Sequence, residues 1–108
     1  MGDMTMYFVT GFDHVDYDKV TIGAGDLKLP RTHTFGYFRS LDDAKKAVES
    51  NETDINEGGY YKYMVIEEID EGYCYPVAKD LAWYKWEDGK YIQMLKPTSV
   101  KSTCNFAF

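Results

Sequence analysis

Asp13, His14, Asp16 and Asp18 place three carboxylates and an imidazole within six residues, an oxygen-rich cluster of the kind that ligates hard cations. The spacing lacks the fixed glycine and terminal glutamate of an EF-hand loop, so a set of solvated loop charges is the ordinary reading and no metal ligand is assigned. Glu67 and Glu68 are neighbours in a segment of strand character. They project to opposite faces and cannot act together as a carboxylate pair. Arg31, His33 and Arg39 surround Phe35-Gly36-Tyr37-Phe38. In an extended chain Arg31, His33, Phe35 and Tyr37 share one face, where a cation beside rings and a glycine backbone can hold a phosphate or carboxylate. The competing reading is a strand end whose cations balance the acidic stretch that follows. Gly23-Ala24-Gly25 lacks the third glycine and the strand-to-helix setting of a dinucleotide fingerprint. Two histidines, two cysteines and no nucleophile-elbow motif give no catalytic residue and no cofactor.

Those residues belong to a chain of 108 residues, near the common size of one domain, so one core and one domain over 1–108 are expected. Hydrophobic residues at 44% and charged residues at 28% are ordinary globular usage and argue against disorder. Aromatic residues reach 17%, with ten Tyr, six Phe and two Trp, a bias toward sheets and large amphipathic contacts. The net charge of −6 is uneven: residues 40 to 72 carry ten acids against three Lys, whereas 73 to 108 carry three acids against five Lys. An acidic total argues against nucleic acid as a partner, because that affinity rests on Lys and Arg neutralising phosphates. Cys74 and Cys104 are too few and too isolated for a disulfide framework or a C-x-x-C zinc site, which points to a reducing compartment. No apolar run approaches the roughly 18 residues of a membrane span, and the first residues lack the pattern of a signal peptide. A cytoplasmic setting without a membrane is the expectation.

The elements that must position these groups follow from periodicity. Met6 to Phe12 reads as a strand, and Val20-Thr21-Ile22 as a brief one inside a glycine-containing loop over 13 to 34. Thr34 to Phe38 is a further strand in which Gly36 marks a bulge or a close approach to the backbone. Ser40 is an N-cap, and Leu41, Ala44, Ala47 and Val48 recur at helical spacing, predicting a helix over about 41–50 that Asn51 can end. A polar loop follows over 51 to 59, with one turn of helix near Ile55. Tyr61 to Ile69 is apolar on both faces and belongs in the middle of a sheet. Tyr73 to Val77 returns as an edge limited by Pro76. Leu81 to Trp86 and Tyr91 to Leu95 flank Asp88-Gly89, a pair suited to a type I′ turn that sets Trp86 against Tyr91 and Glu87 against Lys90. Thr103 to Phe108 alternates as a last strand. The sum is α+β: a mainly antiparallel sheet of about five or six strands with one principal helix packed on one face.

A ten-residue helix is about 15 Å long. Five or six strands at roughly 4.8 Å span about 20 to 25 Å, so one helix cannot shelter both faces. Yet Tyr63, Val65 and Ile69 oppose Met64 and Ile66, and Trp83 opposes Tyr84 and Trp86, so large groups lie on both sides. Either the segment 13 to 34 or the curl of the sheet covers the second face, or that face is a contact surface for a partner or a second copy in a homodimer. A pocket between sheet and loop is the third arrangement. The candidate partner- or ligand-binding residues are Arg31, His33, Tyr37, Arg39, Trp83, Tyr84, Trp86 and Tyr91.

Phe35-Gly36-Tyr37-Phe38, Ser40-Leu41-Asp42-Asp43-Ala44, Val65-Ile66-Glu67-Glu68-Ile69, Tyr75-Pro76-Val77, Trp83-Tyr84-Lys85-Trp86 and Cys104-Asn105-Phe106-Ala107 together resemble a family of short proteins of Firmicutes and their phages. The likeness runs over about 6 to 12 and 34 to 108. No activity comes with it. It implies a small accessory or phage-borne cytosolic protein. The first functional expectation is a non-enzymatic interaction protein that inhibits or modulates a host factor through an aromatic sheet face. The second is a binder of a nucleotide-type small ligand, with Arg31 or Arg39 on the phosphate and Tyr or Trp against the base. An enzyme with an unrecognised site is the third.

Overall fold

The computed structural model describes residues 5–15, 30–70, 79–98 and 100. Five strands and one α-helix form among them: β1 (Thr5–Phe12), β2 (Thr32–Phe38), α1 (Leu41–Glu49), β3 (Tyr63–Asp70), β4 (Lys79–Glu87) and β5 (Lys90–Met94). A 3₁₀ turn at Glu52–Asp54 follows the helix, just ahead of the buried Ile55. The strands form one antiparallel sheet in the order β2-β1-β3-β4-β5, with α1 packed on one face. The α+β architecture and the single principal helix are those read from the sequence. The brief strand at Val20-Thr21-Ile22, the return strand with Pro76, the last strand, Asp16, Asp18, Cys74 and Cys104 lie outside the described residues.

Local sequence explains each boundary near the candidate groups. The Ser40 hydroxyl accepts from the Asp43 N–H at 3.3 Å, and Asp42 and Asp43 lie in the first turn, where the helix dipole favours acids. Ala44, Ala47 and Val48 form the buried stripe. Ser50 closes the helix by donating its N–H to Lys46 O at 2.9 Å, and Asn51 turns the chain away in the left-handed region at φ 49°. β3 takes the central place its two apolar faces require, between β1 and β4. Asp88 and Gly89 both adopt positive φ, 51° and 81°, and the hairpin pairs Trp86 with Tyr91 and Glu87 with Lys90.

The core divides across the sheet. On the helix side Val9, Ala44, Val48, Ile55, Met64, Ile66, Ala82, Tyr84 and Tyr91 pack together. The Tyr84 hydroxyl donates to Glu49 Oε2 at 3.1 Å and fastens the end of α1 to β4. On the other side Phe12, Val65 and Trp83 pack with Val15 and Val100, which leave the sheet after β1 and β5. Trp83 Nε1 donates to Asp80 Oδ2 at 2.9 Å, and Lys96 lies 3.4 Å from the same oxygen. Val65, Glu67 and Trp83 are all sheltered here. Around Val65 and Trp83 the second face is therefore covered within the chain, while Tyr37 on the same face is exposed.

Candidate functional site

The eight candidate residues divide into two groups that never meet. Arg31, His33, Tyr37 and Arg39 are exposed along or beside β2, at one end of the sheet order. Trp83, Tyr84 and Trp86 lie on β4 and Tyr91 on β5, three and four strands away, or about 14 to 19 Å at the usual spacing. Trp83, Tyr84 and Tyr91 retain only 3%, 0% and 4% exposure and pack in the two cores, so they present little surface in this structure. Trp86 is half-buried with its ring 4.8 Å from that of Tyr91. The reason is the covering of both sheet faces around Trp83, Tyr84 and Tyr91, which leaves those rings little water to face.

The β2 group is also rearranged. A register shift between Val9 and Thr10 leaves Phe35 as the extra residue of a bulge, so the simple alternation across 31 to 37 fails. His33 lies over the helix side, its ring 4.6 Å from Phe35 and 6.2 Å from Tyr61. Tyr37 pairs with Phe8 on the opposite side, with ring centroids 5.5 Å apart. Arg31 sits just before the strand, where its N–H donates to Asp13 Oδ1 at 2.9 Å, while Arg39 follows the strand's other end. Eight residues of extended chain separate the two arginines by about 26 Å, so a single phosphate reaches only one of them. Among the described residues no group of three or more His, Cys, Asp or Glu converges as a metal site, and no helix is long and apolar enough to cross a membrane.

The bulge creates a hollow that sequence reasoning did not assemble. Val9, Phe35, Gly36, Phe38, Ala47 and Ile55 line a cleft of about 130 Å³ between β2 and α1, with Glu52 and Thr53 on its rim. Two glycines shape it. At Gly11 a Cβ would stand 2.8 Å from Phe35 Cε2, 3.0 Å from Met64 Cε and 3.2 Å from Tyr61 Cβ. The missing side chain therefore admits the Phe35 ring toward β1. Gly36, one residue on, has nothing within 4 Å of where its Cβ would be, and that open volume belongs to the cleft. Ala47 on the helix contributes only a methyl to the opposite wall.

The rim is held in an uncommon shape. Asn51, Thr53, Asp54 and Glu57 all have positive φ, between 49° and 57°, and Thr53 is β-branched, for which that region is strained. Side chains hold it in place. Asn51 Nδ2 donates to Asp54 Oδ1 at 3.2 Å, and the Asn56 N–H donates to Asn51 Oδ1 at 3.0 Å. Buried Asn56 donates from Nδ2 to Tyr61 O and to the Tyr91 hydroxyl, which itself donates to Tyr61 O at 2.6 Å. Burial pushes the Tyr91 hydroxyl up to about 12, raises Tyr84 further with help from the Glu49 carboxylate, and raises Tyr61 beside Glu57. The Tyr91 and Tyr84 hydroxyls stay protonated and serve as donors, Tyr91 to Tyr61 O beside the loop and Tyr84 to Glu49 on the helix.

An apolar hollow bordered by a carboxylate and an edge strand can seat an uncharged side chain or ring of modest size. An engineered apolar cavity of about 150 Å³ takes up benzene, so the volume is of the right order for one such group. Of the cleft residues, Gly36 carries a signal in the sequence, as a bulge or a close approach, and Phe35 one as a ring beside the cations of β2. Val9, Phe38, Ala47, Glu52, Thr53 and Ile55 carried none, because they read as plain core, helix or loop. No family model, no curated protein and no solved structure matches the chain.

Proposed function

We propose that the chain is a non-enzymatic interaction protein that takes an extended segment of a partner protein along β2 and seats one of its apolar side chains in the cleft between β2 and α1. The observation that carries this reading is the hollow over Gly36 beside a strand with no further neighbour among the described residues. An edge strand presents unpaired backbone N–H and C=O groups to an incoming strand, and a pocket beside it gives side-chain selectivity. The bulge at Phe35 interrupts the ladder, which limits strand addition to the stretch Gly36–Phe38 next to the cleft and discourages indiscriminate edge pairing. The role as an accessory or phage-borne inhibitor or modulator of a host factor belongs to the same proposal and rests on the resemblance alone, and its cytosolic setting rests also on the sparse cysteines.

One seated leucine-sized side chain contributes about 1.5 to 3 kcal/mol, and each short-ladder hydrogen bond about 1 kcal/mol. Set against the cost of association, a short peptide binds weakly, with Kd on the order of 0.1 to 1 mM. Titration of the ¹⁵N-labelled chain with a blocked pentapeptide bearing leucine at its centre, serine beside it and glutamine at both ends tests this. The amides of Gly36, Phe38, Glu52 and Thr53 shift together, and Gly36→Val abolishes the shifts by occupying the hollow. Shifts confined to β4 and β5, or binding that survives Gly36→Val unchanged, overturn the reading.

A further inference from the structure

Two other features of the molecule do not lead to a ligand. The sheltered Glu67 and Asp80 side is bound up with Trp83 and Lys96 in the second core. The exposed apolar side chains Leu81, Ile92 and Leu95 lie at the β4–β5 end of the sheet, and the cleft described above is not lined by any of them. The cleft differs, because one exposed carboxylate, that of Glu52, borders an apolar hollow.

Glu52 borders the hollow with an exposed carboxylate that makes no ion pair with a described residue. Asp54 and Glu57 follow it on the same loop, and Asp42 and Asp43 are exposed on the helix that forms the opposite wall. Lys45 and Lys46 stand on the same helix as Asp42 and Asp43, and no described ion pair joins either of them to Glu52. Arg39 follows the end of β2 and is exposed, and no described ion pair holds it. Lys46 and Lys62 are exposed, and the described ion pairs hold neither of them. A side chain entering the hollow from an extended segment has its same-face neighbours two residues away, about 7 Å along the strand. Such a neighbour lies outside the hollow, whose border includes Glu52.

We infer that the cleft selects an extended protein segment in which an apolar side chain is followed or preceded, two residues away, by lysine or arginine, the cation lying against the Glu52 carboxylate. This inference rests on the proposed function and adds the chemistry of the partner to it. Lysine or arginine next but one to the anchor gains an exposed ion pair, while glutamate there meets a like charge. Salt weakens the preference because the rim is solvated.

Three blocked pentapeptides test it, each with central leucine flanked by serine and with lysine, glutamine or glutamate at both ends. At low salt the lysine peptide binds the wild-type chain about five- to tenfold more tightly than the glutamate peptide, with glutamine between them, and the ratio contracts to about twofold or less at 1 M NaCl. Glu52→Gln narrows the lysine-to-glutamate ratio and leaves the glutamine peptide unchanged. Equal binding of all three peptides, or a ratio untouched by Glu52→Gln, overturns the charge selection while leaving the seat in place. Failure of every peptide to bind, or binding indifferent to Gly36→Val, removes the seat itself and this inference with it. Chemical denaturation of both variants identifies misfolding as a separate cause.

Discussion

Alanine at Gly36 adds one methyl group that meets no atom within 4 Å, whereas alanine at Gly11 drives the same methyl to 2.8 Å from Phe35 Cε2. The two substitutions lower the entropy of the unfolded chain alike, a gain of about 0.4 to 1 kcal/mol where the native backbone tolerates a side chain. Neither glycine needs a positive φ, so that gain applies at both sites. At Gly36 nothing opposes it. At Gly11 the Met64 terminus at 3.0 Å can swing aside, but Tyr61 Cβ at 3.2 Å is tied to the backbone and the Phe35 ring is held between Tyr61 and His33. Overpacking of that kind costs about 1 to 3 kcal/mol. The expected outcomes are a stabilisation of about 0.5 to 1 kcal/mol for Gly36→Ala and a loss of about 1 to 2 kcal/mol for Gly11→Ala. For a domain of this size that is a rise of about 2 to 5 °C in Tm against a fall of about 5 to 10 °C. Urea denaturation followed by far-ultraviolet circular dichroism measures both, with an unchanged m value as the check that the unfolded state is the same. A Gly36→Ala midpoint below wild type, or Gly11→Ala as stable as wild type, refutes the description of the cleft as empty and of Gly11 as the slot for Phe35.

Tyr91→Phe deletes the hydroxyl that donates to Tyr61 O at 2.6 Å and accepts from Asn56. It lowers stability by about 1 to 2 kcal/mol in the same denaturation assay and speeds amide exchange over 51 to 61. The folded chain also loses stability in alkali. With Tyr91 at about 12 and Tyr84 raised from the ordinary 10.0, the folded state keeps two protons that the unfolded state releases. Stability is intact below about pH 10 and then falls by roughly 1.4 kcal/mol per pH unit for each tyrosine until its folded-state value is reached, which absorbance at 295 nm registers as two hydroxyls that ionise at higher pH in the folded chain than in the unfolded one. Ser40→Ala removes the acceptor for the Asp43 N–H at the start of α1 and costs about 1 kcal/mol by thermal melting.

Much of the fold was legible because its signals are local. Ser40 and the spacing of Ala44, Ala47 and Val48 defined α1, Asp88-Gly89 defined the last hairpin and its register, and the doubly apolar Met64-Val65-Ile66 marked the central strand. The division of Tyr84 and Trp86 from Trp83 across the sheet also followed from alternation. What failed depended on contacts between distant residues. The bulge at Phe35 is made possible by the missing side chain at Gly11, and neither residue announces the other. That one shift placed His33 and Tyr37 on opposite faces. From sequence the rings of Trp83, Tyr84 and Tyr91 are expected at a surface, because one helix is too short to shelter both faces of the sheet. Val15 and Val100, which pack on the second face, carry no periodic signal. The cleft joins β1, β2, α1 and the loop after it, so only tertiary structure brings its walls together.

Intermolecular nuclear Overhauser effects from the central leucine of the glutamine-ended pentapeptide test the role of the cleft most directly. The account predicts contacts from the leucine methyl groups to the Phe38 ring and to the methyl groups of Ala47 and Ile55, all lost in Gly36→Val. Contacts to Leu81, Ile92 or Leu95 at the far end of the sheet, with none to Phe38, contradict it.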